Sequence, residues 1–100
     1  MGKLAKPQPL HEAFELLESA GSKLRCRDLV RALQGLGFDV RDGKKQGHKV
    51  FTHPGIDTFT SGSFTCGHGR NEEVKPNYPR SVLKLLRQYE AELVSYLSTP

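Results

Sequence analysis

The stretch LVRALQGLGFDVRDGKKQGHKVFTHPG, residues 29–55, decides the fold, because its hydrophobic period changes from helical to extended within it. Apolar residues first recur at helical spacing, and Gly37 is a typical helix stop. Residues 38–41 then alternate between apolar and charged side chains, which predicts a strand. A glycine-containing turn leads to a second expected strand at residues 48–53, which is closed by a Pro-Gly pair. The stretch therefore predicts a helix followed by a β-hairpin.

The segments on either side of this stretch complete the predicted order of elements. Residues 1–9 are expected to form a flexible lead-in, and residues 10–20 to form an amphipathic helix. Ser22 is a candidate cap for the next helix. A third strand is expected at residues 63–66. After an entry bracketed by Pro76 and Pro79, apolar residues from Val82 to Leu97 keep a helical period and predict one long last helix.

The order helix, helix, strand, strand, strand, helix predicts an α+β fold. One hundred residues suffice for one core and not for two, so a single domain is expected over residues 10–97. Three strands joined by short turns favour an antiparallel sheet, and helices must cover one of its faces. The other face is then open to a partner, including an RNA backbone.

Basic residues surround the turn between the first two strands. The chain has 15 Lys and Arg against 11 Asp and Glu, a formal net charge of +4. This excess is consistent with a polyanionic partner, although many proteins that bind no nucleic acid share it. The local cluster beside His48 is more specific, and it predicts RNA-binding residues at Arg41, Lys44, Lys45 and Lys49.

The two cysteines and the hydropathy pattern bear on location and on metal binding. Cys26 and Cys66 are far apart in a chain with no signal-like segment, so we expect reduced thiols and a cytoplasmic protein. No apolar run approaches the roughly 20 residues of a membrane span. Cys66 and His68 lie two positions apart, but no further Cys or His has the spacing of a zinc site. Neither a metal nor another cofactor is expected.

The quoted stretch resembles the opening of HicA-type (YcfA-like) mRNA interferase toxins. In that family a leucine-rich helix ends at Gly-Phe, as it does here at Gly37-Phe38, and a basic turn leads to a Gly-Ser-His-His-like motif. This sequence has Gln-Gly-His-Lys at residues 46–49, which retains the first histidine as His48. An aromatic residue and a His-Pro pair follow in both.

A second block in the same order strengthens the resemblance. His68-Gly69, then Glu-Val-Lys-Pro at residues 73–76 and an apolar helix from Val82, are similar to the family's His-Gly, Glu-Leu-Lys-Pro and closing helix. Residues 54–63 are longer than the corresponding hairpin.

The resemblance implies a fold, an activity and a partner. The fold would be double-stranded-RNA-binding-domain-like (α-β-β-β-α), with a family core at residues 24–86, an extra N-terminal helix at 10–20 and an extension of the last helix at 87–97. The activity would be that of an endoribonuclease toxin that cleaves mRNA and is inhibited by a HicB-like antitoxin protein. The catalytic residue carried over is His48.

Metal-free cleavage of RNA needs a base for the ribose 2′-hydroxyl, a proton donor for the leaving oxygen and positive charge near the phosphate. An imidazole is partly neutral at cytoplasmic pH, so His48 suits the base. Lys45 and Lys49 flank it and are expected to hold the phosphate. His68 is the first candidate for the acid and His53 the second. A catalytically inactive RNA-binding or protein-binding module on the same scaffold is the alternative.

Overall fold

The computed structural model describes residues 7–19, 23–67 and 72–98, which form four helices and three strands. In chain order the elements are α1 (Gln8–Ser19), α2 (Cys26–Gly35), β1 (Asp39–Asp42), β2 (His48–Thr52), β3 (Gly62–Thr65), α3 (Tyr78–Gln88) and α4 (Glu90–Ser98). The α+β class and the antiparallel sheet predicted from the sequence are confirmed. None of the helices in the described segments is long and apolar enough to cross a membrane.

The three strands form one antiparallel sheet with β2 in the centre. Phe51 of β2 pairs with Val40 of β1 and Gly62 of β3, and His48 pairs with Thr65. Because directly paired residues share a face, Phe51 marks the face that packs on the helices and His48 marks the opposite face. The Phe51 side chain is fully buried.

The helices α2 and α3 cover the Phe51 face, and α1 packs against both of them. The apolar residues that the helical period of α1 selects are all buried, namely Leu10, Ala13, Phe14 and Leu17. Helix α1 therefore belongs to the core. Edge-to-face contacts join Phe38 to Phe51 and to Phe59, which brings the loop between β2 and β3 onto the same core.

Three helix boundaries differ from the prediction. Helix α1 begins at Gln8, so residues 8 and 9 are helical and do not belong to the flexible lead-in that was expected over residues 1–9. The long last helix is interrupted at Tyr89, so α3 and α4 are separate elements. The Tyr89 hydroxyl donates to the carbonyl of Thr58, and the bend lets Leu93 pack fully buried. Helix α2 begins later than expected, after Arg25 in extended conformation, so Ser22 is not its cap. Ser22 itself lies outside the described residues.

The prediction of reduced cysteines is wrong. A disulfide joins Cys26 to Cys66, whose Cα atoms are 5.8 Å apart. The segment of residues 72–75 brings the two positions together. Its N–H and carbonyl groups bond to residues 24–26 on one side and to residues 65–67 on the other. Forty positions separate the cysteines in sequence, so their proximity is a product of the tertiary fold. Because of this bond, the cysteines no longer indicate a reducing compartment.

Candidate functional site

The His48 side chain lies half-buried on the sheet face that α2 and α3 leave open. Its Nδ1 is 3.5 Å from Thr65 Oγ1, and the Thr65 hydroxyl in turn donates to Tyr78 Oη at 3.3 Å. Tyr78 is the first residue of α3. The row of polar side chains His48, Thr65 and Tyr78 therefore runs from the start of the central strand to the start of α3. Within the described segments, His48 Nε2 has no hydrogen-bond partner.

Gly43 makes room for the imidazole on the side away from Thr65. A Cβ atom at residue 43 would lie 2.2 Å from His48 Cδ2 and 3.0 Å from its Cγ. The Gly43 N–H also donates to the His48 carbonyl at 2.7 Å, and the His48 N–H donates to the Lys45 carbonyl at 3.1 Å. The ring thus lies between the end of β1 and the end of β3, and Nε2 is the nitrogen for which residues 7–19, 23–67 and 72–98 supply no partner.

All three lysines that were predicted to bind RNA, Lys44, Lys45 and Lys49, line a groove of about 510 Å³ at the turn between β1 and β2. Lys44 and Lys45 are exposed and have no ion-pair partner among the described residues, whereas Lys49 forms an ion pair with Asp42. Glu72 also lines the groove. The groove therefore contains both positive and negative side chains, with more positive ones.

The structure divides the predicted cluster between two sides of the sheet. Lys49 pairs with Phe64 and Asp42 and so lies on the helix-covered face, opposite to His48. Arg41 pairs with Val50 and therefore shares the open face with His48. The Arg41 guanidinium is exposed and forms an ion pair with Asp39 at 2.9 Å. Lys49 therefore does not flank the His48 ring, contrary to the expectation from adjacency in the sequence.

His53 has a structural role. It is 4% exposed, its Nδ1 accepts from the Gly55 N–H at 3.1 Å, and its Nε2 donates to the Leu36 carbonyl at 2.9 Å. The ring also meets the edges of Phe38 and Tyr96. With both nitrogens engaged on the other side of the sheet, His53 is not positioned as an acid for His48.

The first candidate for the acid, His68, lies outside the described residues. Among the residues that are described, no group of three or more His, Cys, Asp and Glu side chains is placed to hold a metal ion. Thr65 and Tyr78 are the site residues that the sequence did not single out. Their proximity to His48 depends on the register of β3 and on where α3 begins, and neither leaves a local pattern in the sequence.

Compared with models of protein families, with curated proteins and with solved structures, the chain has no significant match. The resemblance to HicA-type toxins therefore rests on the residues quoted above and stays a prediction.

Proposed function

We propose that this protein is an endoribonuclease of the HicA type that cleaves mRNA without a metal, with Nε2 of His48 as the base. The observation that carries the proposal is a partly exposed imidazole next to a lysine-lined turn, with one nitrogen beside Thr65 and the other without a partner among the described residues. We also propose that the fold is of the double-stranded-RNA-binding-domain-like type, with an α-β-β-β-α core to which α1 and α4 are added.

In the proposed reaction, His48 Nε2 takes the proton of a ribose 2′-hydroxyl. The 2′ oxygen attacks the adjacent phosphorus, and the bond from phosphorus to the 5′ oxygen breaks. The leaving 5′ oxygen takes a proton from an acid, for which His68 is our candidate. The products are a 2′,3′-cyclic phosphate and a 5′-hydroxyl end.

The lysines of the turn supply the positive charge that the reaction needs. Lys44 and Lys45 carry no compensating acidic partner among the described residues, so they are the best placed to contact phosphates. The hydrogen bond from the His48 N–H to the Lys45 carbonyl holds this turn against the base. An RNA strand that passes over the turn would place neighbouring phosphates at the lysines and one ribose at His48. Arg41 lies on the same face as His48, but it would have to leave its ion pair with Asp39 to contact a further phosphate.

The proposal is tested by expressing the wild type, His48→Ala and His11→Ala in a bacterial host. His11 is an exposed histidine of α1 whose ion-pair partner in the described part of the chain is Glu15, so it serves as a matched control. We expect the wild type and His11→Ala to arrest growth and degrade mRNA, and His48→Ala to do neither. Equal mRNA integrity in cells that express wild type and His48→Ala contradicts catalysis by His48.

A non-catalytic RNA-binding module is the second candidate. One observation favours it. His48 is not among the residues that line the groove of the three lysines, so the basic surface and the imidazole are separate. In that case wild type and His48→Ala would bind RNA equally and neither would cleave it. The same expression experiment, followed by RNA binding with purified protein, separates the two functions.

A HicB-like antitoxin is the protein partner that the proposal implies. A small HicB-like protein encoded next to this chain would be expected to restore growth when it is co-expressed with the wild type. If every neighbouring small protein fails to restore growth, the antitoxin part of the proposal is contradicted, and the ribonuclease part is still tested by the His48 comparison.

A further inference from the structure

We propose that two copies of this chain pair through β1 as an antiparallel dimer, in which Val40 of one copy faces Val40 of the other. Strand β1 is at an edge of the sheet, because the order of the strands is β1-β2-β3. An edge strand offers unpaired N–H and carbonyl groups to a further strand. The two sheets would then form one sheet of six strands.

The hydrogen bonds between β1 and β2 show which residues of β1 point outwards. The Gly43 N–H donates to the His48 carbonyl, and this pair continues the register of the two strands. Hydrogen-bonded and non-hydrogen-bonded positions alternate along an antiparallel pair. Residues 39 and 41 therefore bond to β2, and the backbone groups of Val40 and Asp42 point away from it. In the described part of the chain, no backbone group outside the strands bonds to these two residues.

The charges along β1 select one register for the second copy. Only outward-pointing residues bond across the new interface, so Val40 faces Val40, Val40 faces Asp42, or Asp42 faces Asp42. The second arrangement places Arg41 opposite Arg41 and the third places two aspartates opposite each other, and like charges in such positions are destabilising. The first arrangement places Asp39 opposite Arg41 of the second copy and, by symmetry, Arg41 opposite Asp39.

The side chains that would meet at this interface are accessible. The Arg41 side chain is 79% exposed and the Asp39 side chain 45% exposed, and within one copy they form an ion pair at 2.9 Å. Pairing would replace this contact by two equivalent ones between the copies. The half-buried Val40 would meet its counterpart at the two-fold axis. Charged edge strands usually resist pairing, but here the alternation of acid and base makes one register self-complementary.

The opposite edge of the sheet is already in use. The Lys75 N–H donates to the Thr65 carbonyl at 2.8 Å, and the Gly67 N–H donates to the Glu73 carbonyl at 2.8 Å. Residues 73–75 therefore cover part of the outer side of β3. This leaves β1 as the edge that offers its backbone groups to a second copy.

The dimer has a consequence for RNA, and this consequence alone rests on the proposed function. A two-fold axis perpendicular to the sheet keeps both His48 side chains on the same face. The spacing of strands and the rise per residue place them about 25 Å apart. This is too far for one phosphodiester to reach both, so each copy would keep its own cleavage site on a shared face.

Sedimentation equilibrium of RNA-free protein from about 10 µM to about 1 mM tests the pairing, because a small interface of this kind is weak. We expect the wild type to change from monomer to dimer over this range. Asp39→Arg makes both facing positions basic and Arg41→Asp makes both acidic, so each variant alone should stay monomeric. An equimolar mixture of the two should associate, because acidic positions of one chain then face basic positions of the other.

Lys84→Asp is the matched control, since it makes the same change in charge at an exposed position of α3 and should associate like the wild type. A wild type that stays monomeric throughout, or a mixture of the two β1 variants that does not associate, overturns the inference. Association of Asp39→Arg alone to the same extent as the wild type also overturns it, because another surface is then the interface.

Hydrogen exchange of the wild type gives a readout that needs no variant. The amides of Val40 and Asp42 should become protected as the protein concentration rises, whereas those of Asp39 and Arg41 should be protected at every concentration. Exchange at Val40 and Asp42 that does not depend on concentration contradicts the pairing. A protein that shows the expected dimer but cleaves no RNA contradicts the proposed function and supports the inference.

Discussion

His48 and Lys49 are neighbours in the chain and lie on opposite faces of the sheet. The alternation of side chains along β2 places Lys49 beside Phe64 and Asp42, and His48 beside Thr65. A cluster that looks continuous in the sequence is therefore two surfaces, one with the imidazole and one with the groove that Lys49 lines. The turn residues connect the two, so the charges that matter for RNA should be those of the turn.

Lys44 and Lys45 should contribute more to RNA binding than Lys49. Lys49 is already neutralised by Asp42, whereas the two turn lysines have no acidic partner among the described residues. We expect Lys45→Ala to weaken RNA binding and to reduce the slope of log K against log salt by about one, with a much smaller change for Lys49→Ala. Affinities measured across a salt series give both slopes. An equal loss in the two variants would contradict the division of the site.

Gly43→Ala should displace the His48 ring. The added Cβ would lie 2.2 Å from His48 Cδ2, so the ring has to leave its present position. We expect a loss of about 10- to 100-fold in the cleavage rate, as is typical when a catalytic group is displaced by about 1 Å. Gly35→Ala is the matched control, because a Cβ at that position meets no atom within 4 Å. If both variants cleave RNA at the wild-type rate, the contact at Gly43 does not position the ring.

His53→Ala should destabilise the protein, because the substitution leaves the buried Leu36 carbonyl and the Gly55 N–H without their partner. The expected loss is about 2–4 kcal/mol in the free energy of unfolding, from the lost packing and the unpaired polar groups. Urea denaturation measures this loss, and His11→Ala should stay within about 0.5 kcal/mol of the wild type. A His53→Ala protein as stable as the wild type would contradict the structural role of His53.

The Cys26–Cys66 bond should be present in the purified protein. Thiol titration of the unfolded, unreduced chain is expected to find no free thiol, and reduction should release two. The double variant Cys26→Ser, Cys66→Ser should lose about 4 kcal/mol of stability, because the bond closes a loop with a sequence separation of 40 residues. Two free thiols before reduction would restore the original prediction of reduced cysteines.

Local periodicity and turn residues were enough to predict most elements of the fold. The apolar stripe of α1 and the alternation in β1 follow from side chains at spacings of 3.6 or 2, and the starts of β2 and of the third strand follow from the turns before them. The interruption at Tyr89 was not predictable in this way, because a bend of one residue preserves the apolar period on both sides. The hydrogen bond from Tyr89 to Thr58 that accompanies the bend involves a loop 31 positions away.

The candidate site was predicted only in part, for the same reason. His48 was found from its motif and the turn lysines from their charge, and the alternation along a strand already separates His48 from His53. Thr65, Tyr78 and the bond between the cysteines depend on which residues of distant segments become neighbours. These neighbours are set by the register of β3 and by the segment of residues 72–75, which forms bridges to residue 25 on one side and to residue 66 on the other.

Cleavage of a labelled RNA by purified protein in excess chelator, with analysis of the ends, tests catalysis by His48 most directly. We expect fragments with 2′,3′-cyclic phosphate and 5′-hydroxyl ends from the wild type, and no fragments from His48→Ala. A substrate with a 2′-deoxy sugar at the cleaved position should resist cleavage, because the base then has no proton to remove. Cleavage of that substrate, or equal cleavage by His48→Ala, would contradict the role of His48.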